Sequence, residues 1–201
     1  MVEIQEQIEK AVEEAEEAHE AKGARFRNRV AIYVGLVGLA LAIVHMAGAA
    51  ASKHAMLSGL ETSDTYAYYQ AKVIRTSILE STTATLNQIG ATTQDNAVKA
   101  KIADQTKSWA ADIQKMTDDP KGGHGEKQLL ATAGKSHQRQ LRSMARDENY
   151  DLAETLLQVA IVFASISIVA TSPALVGASV VMAILGALAG LNGWLLLVEL
   201  V

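Results

Sequence analysis

Four polar residues lie inside long apolar stretches of the sequence and are the best placed to do chemistry: His45, Glu154, Gln158 and Asn192. Placing a polar or ionisable side chain in lipid is costly, so such a residue is a candidate functional residue. His45 and Glu154 would form a proton relay if they lay at one depth. The alternatives are a helix-to-helix hydrogen bond for His45 and an interfacial carboxylate for Glu154. Asn192 could hydrogen-bond across helices for about 1 kcal/mol.

No other pattern in the sequence is typical of an enzyme or a metal site. The chain has no cysteine, which excludes disulfides, thiolate metal ligands and a cysteine nucleophile. Glu16 and His19 match one half of a di-metal motif, which needs a second such pair and two further glutamates. There is no glycine-rich phosphate loop. We therefore predict no catalytic residue, no cofactor and no metal, and we expect that the protein is not an enzyme.

Small residues form a stripe in each of the two C-terminal apolar stretches. In lipid, small side chains allow helix backbones to approach closely. We expect the two stripes to pack either against each other or against other copies of the chain. The first stripe is Ala160, Ala164, Ser167 and Thr171, and the second is Ser179, Ala183, Gly186, Gly190 and Gly193.

The distribution of charge predicts the elements that position these residues. The 201-residue chain has a net charge of −4, but residues 30–52 carry no charge and residues 152–201 carry only Glu154 and Glu199. Such blocks rule out an ordinary soluble globule, and a pI of about 5.7 gives no case for nucleic acid binding. Twenty-two helical residues rise about 33 Å, enough for a hydrocarbon core of about 30 Å.

We therefore predict an all-α membrane protein with three transmembrane helices and an extramembrane helical hairpin between the first and second. Ser172 and Pro173 would separate the last two spans. Both ends of the polar middle must lie on one side of the bilayer, so its helices must rise and return. The predicted segments are an acidic amphipathic helix with a basic juxtamembrane stretch (1–29), transmembrane helices at 30–51, 152–171 and 174–198, and the hairpin at 52–151.

Helical stripes within residues 52–151 indicate self-association. The rising arm would run to residue 89, continuous with the first span, turn near Gly90–Asp95, and return with a bulge at 118–125. A free-standing hairpin buries little apolar surface, so its stripes would be more stable against copies of the same arm. The stripe of the rising arm comprises Leu57, Leu60, Asp64, Ala67, Ala71, Ile74 and Ile78.

Basic residues flank both sides of the first span and decide its orientation only narrowly. Four of them precede it, and the first span usually dominates the positive-inside rule. The N-terminus is therefore expected in the cytoplasm and residues 52–151 in a bacterial periplasm. The acidic N-terminus is unlike a secretory signal, so we expect a retained anchor. The basic residues are Lys22, Arg25, Arg27 and Arg29 on one side and Lys53, Arg139, Arg142 and Arg146 on the other.

Two motifs resemble a known family. TYAYYQAKVIRTS (65–77) carries an aromatic-AYYQAK-x-I-R pattern, and residues 151–161 carry D-L-A-x-x-L-L-Q-x-A-I. Together with the first span they resemble the bacterial membrane family known as domain of unknown function 4337, and the resemblance covers most of the chain. It implies a membrane architecture but no activity. Within the first motif, Tyr66, Tyr68, Tyr69 and Gln70 form either a partner-binding patch or the packed base of the hairpin.

Three functions follow as hypotheses. The first is a structural or scaffolding protein of the bacterial inner membrane that forms a homo-oligomer through its spans and its hairpin. The second is an accessory subunit of a larger bacterial membrane complex. The third is a small channel or pore lined by the polar residues of the spans. The expected partners are the lipid bilayer and other copies of the chain.

Overall fold

The computed structural model describes the backbone of residues 2–196 and the side chains of residues 23–196. It contains four helices and, within the described residues, no strand. They are α1 (Val2–Thr92), α2 (Asn96–Thr117), α3 (Glu126–Ala170) and α4 (Pro173–Leu195). The all-helical fold class is confirmed. The side chains of Glu16 and His19 lie outside the described residues.

Helix α1 includes both the first span and the rising arm without a break, as the sequence analysis anticipated. Neither proline of the chain falls within it, so no backbone donor is missing along its 91 residues. Helix α1 ends at Thr92, and Asp95 is the N-cap residue of α2. The Asp95 side chain accepts hydrogen bonds from the amides of Ala97 and Val98, which satisfies two of the donors that a helix N-terminus leaves free.

Three helices are long and apolar enough to cross a membrane: α1 in the range Gly23–Thr92, α3 and α4. The start of α4 differs by one residue from that expected for the last span. Pro173 does not lie in the turn but is the first residue of α4, because proline has no amide hydrogen to lose there and its fixed φ suits the first helical turn. At the other end α4 ends at Leu195 and Leu196 adopts a left-handed conformation, while residues 197 and 198 of the predicted span lie outside the described residues.

The chain forms two compact units, each described by itself. Unit 1 comprises residues 1–52 and 143–201. Its core contains Val37, Leu157 and Ala160, with Tyr33 and Met182 among the side chains packed against it. Several residues of α3 that face the neighbouring helices are small: Ala153, Ala160, Ala164 and Ser167 have no exposed surface. Beside the core side chains, backbone and β-carbons therefore take part in helix-to-helix contact in unit 1.

Unit 2 comprises residues 53–142. Its α1 segment contacts α3 through small and polar groups: Ala133 and Ser136 are fully buried, and the Thr76 hydroxyl donates to Glu126 Oε1 at 2.6 Å. Further along, Arg139 Nη2 donates to Glu61 Oε1 at 3.0 Å. Helix α2 has no buried residue.

The return path of unit 2 is not one arm with a bulge. The end of α2 and the start of α3 both lie beside the same part of α1, since Met116 lines a groove with Tyr68 while Glu126 bonds Thr76. The loop 118–125 steps back along α1 between them. Gly123 has φ +72°, a conformation that favours glycine.

Candidate functional site

A polar cluster joins α1 and α3 within the apolar part of unit 1. His45 Nδ1 lies 3.0 Å from Glu154 Oε2, and Gln158 Nε2 donates to Glu154 Oε1 at 3.0 Å. A carboxylate accepts hydrogen bonds, so His45 Nδ1 donates in this contact when it carries a hydrogen. The His45 side chain is 69% exposed and that of Glu154 is 28% exposed. The two side chains meet, and the cluster opens on the outer surface of the unit.

Asn192 belongs to a separate contact. Its Nδ2 donates to Asn149 Oδ1 at 2.7 Å, and the Asn149 amide nitrogen in turn donates to the carbonyl of Ala145. Asn149 is only 3% exposed, so its oxygen needs a donor from the protein. This pair fastens α4 to the part of α3 that precedes the predicted span.

A third polar contact links all three helices of unit 1. Ser179 Oγ donates to the carbonyl of Ala160 at 2.6 Å, and Tyr33 Oη lies 3.1 Å from the same Ser179 oxygen. A serine hydroxyl has one proton, so Tyr33 is the donor in the second bond. The bond to a backbone carbonyl requires close approach of α4 to α3.

The small-residue stripe of α4 packs against α3 and α1 within one chain. It meets the α3 stripe where Ser179 bonds Ala160, whereas Thr171 at the end of the α3 stripe is exposed. A β-carbon added at Gly186 would meet Leu157 Cγ at 2.9 Å and the Ala153 oxygen at 3.1 Å. Gly193 is buried against Tyr150 and Asn149, and Gly190 approaches Val44 of α1. Ala183 is half-buried. Residues that are buried in this way have no surface to offer another copy, so packing within the chain is the alternative that the structure favours.

The tyrosines of the first motif point in different directions. Tyr66 and Tyr68 are exposed at 40% and 47%, Gln70 is also exposed, and Tyr69 is half-buried. The Tyr68 ring makes an edge contact with His124 at 6.3 Å between centroids. Lys72 Nζ lies 5.6 Å from the centre of the same ring, a cation–π distance. The motif therefore does not form one packed base, and most of it remains accessible.

The apolar stripe that the sequence places on the rising arm is uncovered. Leu57, Leu60, Ile74 and Ile78 are exposed at 51%, 53%, 60% and 60%. The contacts of α1 with α3 use a neighbouring face that includes Ala55, Thr62 and Thr76 instead. We use the name α1 stripe for the following residues, all of which are exposed: Leu57, Leu60, Asp64, Ala67, Ala71, Ile74 and Ile78.

Hydrogen bonds from the first turn of α3 hold the start of the loop between α2 and α3. Asp118 accepts hydrogen bonds from Gln128 Nε2 at 2.7 Å and from Lys127 Nζ at 2.9 Å. The Gln128 amide, and then the Lys127 ammonium, hold the pKa of Asp118 below its ordinary value. Gly125 packs against Asp118 and Asp119 so closely that a side chain there would collide with the backbone.

Sequence reasoning missed Tyr33, Asn149 and Tyr150. Asn149 and Tyr150 stand just before the predicted second span, where polar residues are ordinary, so nothing in the pattern marks them as contacts. Tyr33 was hidden by its apolar neighbours, although a phenol inside a span needs a partner for its hydroxyl. That requirement was the signal that could have revealed it.

Comparison with known proteins identifies the family. The model of the family described as Domain of unknown function (DUF4337) matches residues 26–196. The match covers more than half of the chain, so the protein belongs to this family, and the resemblance inferred from the two motifs is confirmed. No curated protein and no solved structure matches the sequence.

Proposed function

We propose that the protein is a structural, scaffolding membrane protein that assembles as a homo-oligomer through the α1 stripe. In this proposal α1, α3 and α4 cross the bacterial inner membrane, and unit 2 is a helical hairpin in water. Charged residues recur along every helix of unit 2, whereas residues 30–52 of α1 carry none. Charges are costly in hydrocarbon, which supports an extramembrane location for unit 2.

The single observation that carries the proposal is the exposure of large aliphatic side chains in a charged, water-compatible unit. Ile74 and Ile78 are each 60% exposed, although burying such a side chain is worth about 1.5–3 kcal/mol. A contiguous apolar stripe exposed to water marks an interaction site. Within one chain, α2 and α3 pack on other faces of α1 and leave this stripe open.

The spacing of the α1 stripe fits a second copy of the same helix. Its residues alternate at three and four positions from Leu57 to Ile78, the repeat that places two parallel helices in register along a coiled coil. Copies in one membrane with one orientation present α1 in parallel, so each residue would meet its own counterpart. The central Asp64 would then face its own copy, which weakens association and sharpens register.

Further apolar residues are exposed on the part of α1 that belongs to unit 1. They are Met46, Ile43, Leu39, Leu36 and Ile32. Lipid covers such side chains without cost, so their exposure alone is no evidence of a partner. Self-association is therefore inferred from the exposed residues of the α1 stripe in unit 2.

Mass measurement of the full chain in mild detergent tests the proposal. We expect a defined oligomer at micromolar concentration, and loss of it in the double variant Ile74→Lys with Ile78→Lys. Leu130→Lys is the matched control, because Leu130 is 47% exposed on α3 and lies outside the α1 stripe. A monomeric wild type, or equal loss in the control, would refute the proposal.

The accessory-subunit function is the alternative in which another protein covers the α1 stripe. Purification at native expression level separates the two: self-association gives a single-component peak. A fixed second component that leaves with the Ile74→Lys and Ile78→Lys variant would instead identify this chain as a subunit of a larger complex.

A pore is the second alternative, favoured by one observation: His45 is exposed on unit 1 while bonded to Glu154. In an oligomer such a surface could line a shared axis. Planar-bilayer recordings should then show conductance that Glu154→Gln alters. Absence of conductance in a bilayer that contains the oligomer would favour the scaffolding function over the pore.

The proposed orientation places the N-terminus in the cytoplasm and unit 2 in the periplasm. Because the chain lacks cysteine, one cysteine can be introduced on each side of the first span, as Asn28→Cys and as Ser52→Cys. An impermeant thiol reagent applied to intact cells should label position 52 and spare position 28. The reverse labelling pattern would invert the topology.

A further inference from the structure

A groove in unit 2 lies between α1 and α2 and has a volume of about 420 Å³. Its lining residues stand at i, i+3, i+4 and i+7 on both walls, so two faces oppose each other across open space. The α1 wall is Tyr68, Ala71, Lys72 and Arg75, and the α2 wall is Asp112, Lys115, Met116 and, just past the end of the helix, Asp119. The four residues of the α1 wall all belong to the AYYQAK-x-I-R motif.

The two walls of the groove carry five charged residues beside three apolar ones; the charged residues are Lys72, Arg75, Asp112, Lys115 and Asp119. Helix α2 buries no residue, whereas α3 buries Ala133 and Ser136 completely in the same unit. Charged groups thus converge in the groove next to the Tyr68 ring and the Met116 thioether.

The cations of the groove have no carboxylate partner in the described part of the chain. The ion pairs found there are His45–Glu154, Lys127–Asp118 and Arg139–Glu61, and none of them includes Lys72, Arg75 or Lys115. Of the two acids, Asp119 Oδ1 already accepts the amide of Gly122 at 2.9 Å. Three cations therefore face two carboxylates, one of them engaged by the loop.

We propose that this groove binds a small organic anion that carries a phosphate or carboxylate group and an aromatic ring. The Arg75 guanidinium matches the two oxygens of such a group, and Lys115 faces it from α2. The Tyr68 ring and the Met116 thioether supply an apolar wall for the ring of the ligand. The volume falls within the range of about 300–1,000 Å³ that is usual for small-molecule sites.

The inference stands on unit 2 alone and does not depend on self-association. Ala71 belongs to both the groove and the α1 stripe, so the two surfaces adjoin. The variants chosen for the groove leave Ile74 and Ile78 intact, and the oligomer measured by mass serves as a separate readout.

Calorimetric titration of the full chain in nanodiscs of zwitterionic lipid tests the site, with phenyl phosphate and inorganic phosphate as probes. We expect saturable binding of phenyl phosphate, weakened at least about tenfold by Arg75→Gln and by Lys115→Gln, because each removes a charge-assisted bond. Lys107→Gln, an exposed lysine of α2 outside the groove, is the matched control and should bind as wild type.

Tyr68→Leu tests the aromatic part of the proposal. This substitution should weaken the binding of phenyl phosphate and leave the binding of inorganic phosphate unchanged. Equal effects on both probes would overturn the aromatic ligand class. Absence of saturable binding, or an effect of Lys107→Gln as large as that of Arg75→Gln, would overturn the site itself. Circular dichroism of each variant confirms that a loss of binding is not a loss of helix.

Discussion

Unit 1 and unit 2 join their helices through similar residues but differ in what surrounds them. In unit 1 many residues between helices are small and fully buried, such as Ala160 and Ser179, and lie beside the buried Leu157, while many large aliphatic residues point outward. In unit 2 small or polar residues such as Ala133 also lie between helices, beside the buried Leu129, and large aliphatic residues such as Ile74 and Ile78 again point outward. The same pattern has a different meaning in each, because only lipid accepts an apolar surface without cost.

In the proposed topology, lipid covers the outer face of the spans, which then needs no protein partner. Unit 2 would lie in water, and the proposal therefore has a protein cover the α1 stripe. Substitutions in unit 1 test how tightly its helices pack, and substitutions in unit 2 test how open and how charged it is.

The largest expected effect is in unit 1. Gly186→Leu should destabilise the helices by about 1–3 kcal/mol, because its side chain would enter the space of Leu157 and the Ala153 carbonyl. Gly177→Leu on the same helix is the control, since nothing lies within 4 Å of a β-carbon there. Unfolding titrations in mixed micelles measure both. Similar losses in the two variants would mean that α4 is not packed as described.

The second effect concerns the α1 stripe. Asp64→Leu should tighten self-association by roughly tenfold, about 1.4 kcal/mol, because it removes a like charge from the centre of a parallel helix pair. Concentration-dependent mass measurement gives the dissociation constant. Glu80→Leu, an exposed acid on α1 outside the stripe, is the control. Unchanged or weaker association in Asp64→Leu would argue against a parallel pair in this register.

The third effect returns to unit 1 and its polar contacts. A double-mutant cycle on Asn149→Ala and Asn192→Ala should give a coupling energy of about 0.6 kcal/mol, typical of hydrogen bonds between helices in membranes. The value is small because the separated helices also find other polar partners. A coupling near zero would show that the bond adds nothing to the attachment of α4.

The smallest effect is local to the loop of unit 2. The pKa of Asp118 lies below its ordinary value of 3.8, so its bonds stabilise the loop above that pH. This stabilisation is lost as the pH falls through the lowered pKa. Gln128→Leu and Lys127→Met should each raise the pKa of Asp118 towards 3.8, because each removes a hydrogen bond to the carboxylate. Carboxyl NMR titration measures both shifts, and an unchanged pKa in Gln128→Leu, which removes the largest single cause, would contradict the assignment.

The helices were largely predictable because their signals are local. Charge-free stretches of about twenty residues, and the Gly90–Asp95 break, placed the apolar helices and the end of α1 within a few residues. The return path was not predictable in the same way. The loop 118–125 was expected to be a bulge, but the end of α2 shares a groove with Tyr68 while Glu126 at the start of α3 bonds Thr76, so the chain steps back along α1.

The candidate residues show the same difference between what a local pattern predicts and what depends on contacts between distant residues. The small-residue stripes follow a helical period, so their shared faces could be read directly, but the period does not say which helix lies opposite. His45 and Glu154 were recognisable as polar residues in apolar stretches, and their pairing depends on the relative depth of α1 and α3. The groove beside Tyr68 had no sequence signal, because its two walls lie about forty residues apart in the chain.

The order of residues by itself determined the helical class, the three apolar helices and the family, since each depends on composition and on periodicity along one helix. Only the tertiary structure decided which faces meet. It packed the small residues of α4 against α3 and α1, left the α1 stripe uncovered and opened a charged groove against α2. Local periodicity creates a face on each helix, but the choice of its neighbour depends on contacts between distant residues.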